Sequence, residues 1–295
     1  SSIKLSIIIP ALNEENNLPV LIDSIKKQVF KNYEVILAVT PSEDKTLEIA
    51  RRSGLKVIVI DKIPAGWLGK PFACYKGAEA ANGNTLMFLD ADTCLREDGL
   101  ARIIESYAER DGAISVQPYH RTEKLYEQFS AIFNLIAMMA MGSFTVFGKN
   151  INPTGLFGPC IVISKENYDD SGGHASVKSE VVEDIAFGVI LKKRHLTLNC
   201  VSGKGSIDYR MYPGGFRELI DGWTKNFAAG AQSTPLLLII AIVCWIGGAL
   251  GVVISSIQSA ADGSLTLLAL NGALYLAYAL QIFWILWRVG NYKIY

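Results

Sequence analysis

The chain carries no excess charge of either sign. Its 295 residues include 28 acidic and 28 basic side chains, so no global field is available to hold nucleic acid or another polyanion. Histidine is scarce, with 3 in all, and the 5 cysteines (Cys74, Cys94, Cys160, Cys200 and Cys244) are scattered without C-x-x-C spacing. That distribution indicates neither a zinc site nor a disulfide framework, and a cytosolic main domain is expected. A secretory leader is not read either, because Ser1 to Leu5 lead straight into the strand-like SIIIP with no apolar h-region before it. The phosphate-binding P-loop is also missing. GWLGKP lacks the four-residue spacer, and Pro71 stands where Ser or Thr would hold magnesium.

Apolar sequence is what the chain has in surplus. Half of its residues are hydrophobic (50%), and the excess lies mostly after Ser233. Thr234 to Ala261 contain no charge, and Gly263 to Trp287 again contain none; each stretch exceeds the roughly 20 residues that span a bilayer. Two transmembrane helices are expected, at about 234–258 and 265–288, joined by a short turn at Asp262. Arg217 and Lys225 precede the first and Arg288 and Lys293 follow the second, so the charge rule puts both chain ends on the cytosolic side. Gly247 and Gly251 have GxxxG spacing, which would suit close helix approach or simply face lipid.

Before these spans, β-branched runs alternate with helical stretches. LSIIIP, YEVILAVT, LKVIVI, TLMFLD and GAISVQP read as strands too apolar to face water. The charged segments between them have helical spacing and Gly or Asn stops. The pattern predicts an α/β fold: a mostly parallel, Rossmann-like sheet flanked by helices, followed by C-terminal transmembrane helices. Residues 1–230 form the expected catalytic domain and 231–295 the membrane domain. The apolar stretch 129–148 would split the sheet across the bilayer if it spanned, so a helix on the membrane surface, or a buried one, is expected there.

Three acidic constellations carry chemistry. Asp90 and Asp92 end the apolar strand TLMFLD one residue apart; hard oxygen ligands so placed suit Mg²⁺ or Mn²⁺ bridging phosphates, although a turn and helix cap would use the same residues. Pro10, Asn13 and Glu14 follow the first strand, where a helix cap or contact to a nucleoside would both fit. Glu183 and Asp184 open a helix, as a general base or as acids complementing the helix dipole.

In this order, P-x-x-N-E, D-A-D and E-D-x-x-x-G resemble a family 2 inverting glycosyltransferase of the GT-A fold over roughly residues 5 to 230. The resemblance implies that Pro10, Asn13 and Glu14 line the nucleotide pocket, that Asp90 and Asp92 hold a divalent cation (Mn²⁺ or Mg²⁺) and the diphosphate, and that Asp184 is the base. Asp44, Lys70 and Arg210 are further donor-side candidates. Gln117, His120, Glu183, Trp223 and Lys225 are acceptor-side candidates. Within the family, AGWLGKPFACYKGAEAANG, SVQPYH and YRMYPGGFRELIDGWTKNF are similar to the bacterial branch that glucosylates carotenoid acids such as diaponeurosporenoate, and to hopanoid-associated relatives. The expected partners are a UDP-sugar, most simply UDP-glucose, a lipid acceptor and the bilayer, with the protein multi-pass in the cell membrane, its catalytic domain facing the cytosol.

Two departures qualify the resemblance. AVTPSEDKT keeps Ser42, Asp44 and Thr46 but has Val39 and Thr40 where many members carry an Asp pair. GWTKN stands where processive members carry Q-x-x-R-W, which argues for single transfer. Transfer to polyprenyl phosphate is the rival reaction, and a non-catalytic nucleotide-sugar-binding scaffold the rival of another class. The oligomeric state is not readable from sequence.

Overall fold

The computed structural model describes residues 2–142 and 153–292. Strands β1 (Leu5–Ala11), β2 (Tyr33–Val39), β3 (Lys56–Val59), β4 (Thr85–Leu89), β6 (Ala113–Gln117), β8 (Cys160–Ser164) and β9 (Leu198–Ser202) form one sheet in the order 3-2-1-4-8-6-9. Within it β8 runs antiparallel to both its neighbours, and all other pairs are parallel. The apolar runs follow from helices covering both faces. Successive side chains alternate between faces: Ile7 and Ile9 pack with helices α1 (Leu18–Lys26), α2 (Thr46–Arg52) and α4 (Gly99–Ala108), whereas Ile8 packs toward α3 (Gly69–Glu79), α6 (Lys165–Asp170) and α7 (Glu183–Lys193).

The sheet grows from β1 through β2 and β3 on one side and through β4 on the other. Such a reversal leaves a crevice at the carboxyl ends of the diverging strands, where ligands bind in open α/β sheets. Pro10 and Asp90 stand at those two ends. A second, smaller sheet is built from β5 (Thr93–Leu95), β10 (Ile207–Tyr209) and β7 (Tyr119–His120). Its register sets Tyr209 opposite Thr93, directly after Asp92.

Four helices complete the chain: α5 (Ser130–Ala140), α8 (Phe216–Ser233), α9 (Leu236–Ala261) and α10 (Leu265–Val289). Helix α8 continues past residue 230 and ends only where Thr234 and Pro235 interrupt it, so the expected division at 230/231 falls inside a helix. The apolar windows of α9 and α10 are 0% and 6% buried within the chain, leaving their sides open. The helices meet through Trp245 Nε1 donating to Gln281 Oε1 (3.1 Å) and Asn271 Nδ2 donating to Ser255 Oγ (2.9 Å). Gly247 and Gly251 both face open space; the close approach is at Gly248, against the Tyr278 hydroxyl. Helix α5 lies against the base of this pair, with Leu135 and Met138 packed on Ile285, Leu286 and Val289. The remainder of the 129–148 stretch, from 143, lies outside the described residues, as does Lys293.

Beyond α10 the chain returns to the small sheet. Asn291 Oδ1 accepts from Thr122 N (2.6 Å) and Thr122 Oγ1 (2.9 Å), and Asn291 N donates to His120 O (3.0 Å). Tyr292 meets His120 Nδ1 (2.6 Å) through its hydroxyl, which also accepts from Asn134.

Candidate active site

Asp90 closes β4 with its N–H donated to Pro159 O (2.9 Å), while its own carbonyl accepts from Thr93 N (3.3 Å) and Thr93 Oγ1 (2.7 Å). This turn explains why a buried strand ends in two acids: it stops the strand at the crevice and sets Asp92 at the mouth, exposed. Lys70, on the first turn of α3, reaches across with Nζ 2.8 Å from Asp90 Oδ1 and 3.1 Å from Glu183 Oε1. Residues far apart in the chain thus converge on one ammonium group. Pro10, Lys70, Asp90, Gly158, Glu183 and Asp184 line a common pocket. Gly158 is required by close approach, since a Cβ there would lie 2.7 Å from Asp184 Oδ2.

The electrostatics follow from four acids around one lysine, with Glu14 beside them. Burial alone would lower the Lys70 pKa, but Asp90, Glu183 and Asp184 outweigh it and hold the ammonium well above its ordinary value. Burial, then the neighbouring Glu183 and Asp90 charges, push Asp184 up to about 6. Although Asp92 is open to solvent on one side, desolvation by the cleft walls, followed by the Asp90 and Glu14 charges, pushes it up to about 7. Glu14 is raised by burial and then by Asp90 and Asp44.

This crowding is what a divalent cation would relieve. Among the described residues no group of three His, Cys, Asp or Glu side chains is placed to enclose a metal alone. Two carboxylates completed by substrate phosphate oxygens are nevertheless a common arrangement for Mg²⁺, so Asp90 and Asp92 fit a site that a bound diphosphate would finish.

The loops beside the crevice are tied by Asp44. Its carboxylate accepts from Glu15 N (3.0 Å), Thr46 N (2.9 Å) and Thr46 Oγ1 (2.5 Å), and these bonds hold it below the usual carboxylate range despite desolvation. Thr46 Oγ1 in turn accepts from Glu14 N (2.7 Å), and Asn13 Oδ1 accepts from Glu43 N (2.9 Å) with Asn13 itself at φ 56°. Asp44 therefore shapes the loop that presents Asn13 and Glu14.

Other sequence candidates lie apart from the Lys70 pocket. Arg210 is not brought there; its guanidinium is taken by Glu123 (2.7 Å) and buried Glu127 (2.6 Å). Gln117 donates to the Tyr209 hydroxyl (2.8 Å). His120 is fully buried among Tyr209, Tyr292 and Asn134, and burial lowers its pKa to about 4. Trp223 is buried with Nε1 donated to Ser130 Oγ (3.0 Å), and Lys225 is exposed on α8. Sequence reasoning missed His174, which lies beneath the pocket between Phe88 and Phe187 and is bonded to the Tyr168 hydroxyl (3.0 Å). It also missed Tyr209, which β10 pairs with the residue after Asp92, and Tyr212, three residues beyond that strand. The only sequence signal for these was the aromatic density of DYRMYPGGF.

Comparison with known proteins agrees with this arrangement. A family model described as Glycosyl transferase family 2 matches residues 6–172. A 4,4'-diaponeurosporenoate glycosyltransferase of Staphylococcus haemolyticus (strain JCSC1435) is 39% identical over 249 residues, which cover 83% of this chain and 66% of that protein, just under two thirds of its length. The protein of the same name from Staphylococcus aureus (strain USA300) is 36% identical over 293 residues, 98% of this chain and 78% of the relative. Among solved structures, the mannosyltransferase PcManGT from Pyrobaculum calidifontis, in complex with GDP-Man and Mn²⁺, superposes with a TM-score of 0.56 at 17% identity, covering 97% of this chain and 85% of that one. At that identity the likeness speaks to the fold.

Proposed function

The chain belongs to glycosyl transferase family 2, and we propose that it moves glucose from UDP-glucose to the terminal carboxyl group of a carotenoid acid at a membrane surface. The observation that carries this reading is Lys70 shared between Asp90 and Glu183, which joins a diphosphate-binding strand end to the helix bearing Asp184. The staphylococcal relatives named for diaponeurosporenoate support the acceptor. The open sides of α9 and α10 support membrane attachment.

In this reading Pro10, Asn13 and Glu14 border the nucleoside, and Lys70 offsets the charge of the departing diphosphate. Asp90 and Asp92 would hold a divalent cation, which would supply Lewis-acid stabilisation of the leaving group. An acceptor oxygen forms its bond to the anomeric carbon on the face opposite the diphosphate, which leaves with the electron pair of the broken C–O bond and so inverts the centre. A carotenoid carboxylate is already ionised near neutral pH and needs little help from a base. With a hydroxyl acceptor Asp184 takes the proton. The sheets and their helices make up the catalytic unit, α5 lies at the bilayer surface, α9 and α10 cross the membrane, and the cleft faces the cytosol.

The test is transfer from UDP-glucose, with Mn²⁺, to 4,4'-diaponeurosporenoic acid in mixed micelles, together with mass spectrometry of lipids from cells with and without the protein. A glucosyl ester supports the reading. Hexosyl polyprenyl phosphate would replace the acceptor, and nucleotide binding without turnover on any lipid would make the chain a scaffold.

A further inference from the structure

We infer that Tyr212 is the acceptor-positioning residue, its ring forming the wall along which a long conjugated acceptor passes from the α5–α8 surface to Asp92. The inference rests on the transfer proposed above and deepens it by naming the route.

Tyr212 adopts φ 58°, a left-handed backbone that bulky residues rarely occupy. Glycines stand two and three residues later, at 214 and 215, yet the strained position holds a tyrosine, so the surroundings must over-determine it. They do. Tyr126 donates its hydroxyl proton to Tyr212 O (2.9 Å). Gly222 on α8 leaves room for the ring: a Cβ there would come within 2.1 Å of Tyr212 Cε1 and 2.5 Å of Cζ. Trp223 meets the same ring edge-on at 5.9 Å.

The held ring has the reaction cleft on one side. Pairing of Tyr209 with Thr93 runs the end of β10 beside Asp92, and Tyr212 follows three residues later. The Asp92 carboxylate lies near enough for its charge to act on the Tyr212 hydroxyl. On the other side an aromatic series leads outward. Trp223 stacks on Phe133 at 5.2 Å and 14°, and Phe129 meets Phe216 at 5.9 Å. Phe129, Ile132 and Phe216 are 59%, 59% and 52% exposed. This surface reaches the apolar helices through α5, which carries Ile132 and packs Leu135 and Met138 on Ile285, Leu286 and Val289 of α10. A flat polyene with a terminal carboxyl matches such a path: ring faces and edges suit its π-system, and its polar end would reach the cleft.

The experiment uses the full chain in mixed micelles, with 4,4'-diaponeurosporenoic acid as probe, followed by its absorbance on binding and by transfer from UDP-glucose. Tyr212→Ala should raise both the acceptor Kd and the acceptor KM about tenfold, the loss of one aromatic contact, with the UDP-glucose KM unmoved. Tyr212→Phe should restore the acceptor Kd. Gly222→Ala, which helix propensity alone favours, should reproduce the acceptor defect by displacing the ring. An unchanged acceptor Kd in Tyr212→Ala, an equal rise in the donor KM, or no polyene binding by the wild type overturns the inference. A wild type that binds the polyene but transfers nothing sinks the transfer reading alone, and Tyr212 is then judged by its Kd.

Discussion

Asp184 and His120 are both pushed from their ordinary pKa values mainly by burial, and their consequences separate cleanly. Asp184→Asn should lower transfer to a hydroxyl acceptor by about 10²–10⁴-fold and transfer to a carboxylate acceptor far less, so comparing the two acceptors in one preparation reads its role. For His120 the folded pKa of about 4 lies below the unfolded value near 6.5. Its contribution to stability is therefore full above pH 6.5 and is lost as pH falls toward 4, reaching about 2 kcal/mol by pH 5. The ionised groups facing it are Glu127, itself paired with Arg210. Denaturant unfolding of His120→Gln should show a shallower loss between pH 7 and 5 than the wild type; parallel curves would refute the assignment. At this scale the acids of the cleft were legible in the sequence because they end or open regular elements. The pairing of Arg210 with Glu127, 83 positions away, left no local trace, which is why Arg210 read as a free cation for phosphate.

Elements matter here through their ends. Helix α7 presents Asp184 only because the segment before β8 has no side chain at Gly158. Gly158→Ala should lower turnover by up to about 10²-fold, the effect of moving a reacting group by roughly 1 Å, with the circular dichroism of the fold retained. Asp44 has a comparable role for the loop after β1. Asp44→Ala removes three hydrogen bonds to a carboxylate, and we expect about 2 kcal/mol of lost stability together with a raised donor KM. The long strands could be read from their apolar runs, since a sheet covered on both faces requires them. Strands β5, β7 and β10, of 3, 2 and 3 residues, are too short for any periodicity, so the small sheet that aligns Tyr209 with Thr93 was invisible. The 230/231 division falls inside α8 for a related reason: the amphipathic helix runs into the apolar segment without a stop until Pro235.

Over the whole molecule, the order of parts matched the sequence reading: a nucleotide-type sheet first, two apolar helices after it. What the sequence did not disclose is that residues 290–292 come back to β7 once both apolar helices have been built. Of the two ends, the exit is tied directly to the small sheet through Asn291, while α8 leads in from β10 at the entry. In the membrane-attached reading proposed above, a change in lipid length that tilts the two helices is resisted where Asn291 is held, so part of the displacement passes to the sheet bordering Asp92. We expect turnover in vesicles to depend on acyl-chain length at constant headgroup, and Asn291→Ala to weaken that dependence. Bilayer thickness would then be a physical variable to which the distance between acid and acceptor responds.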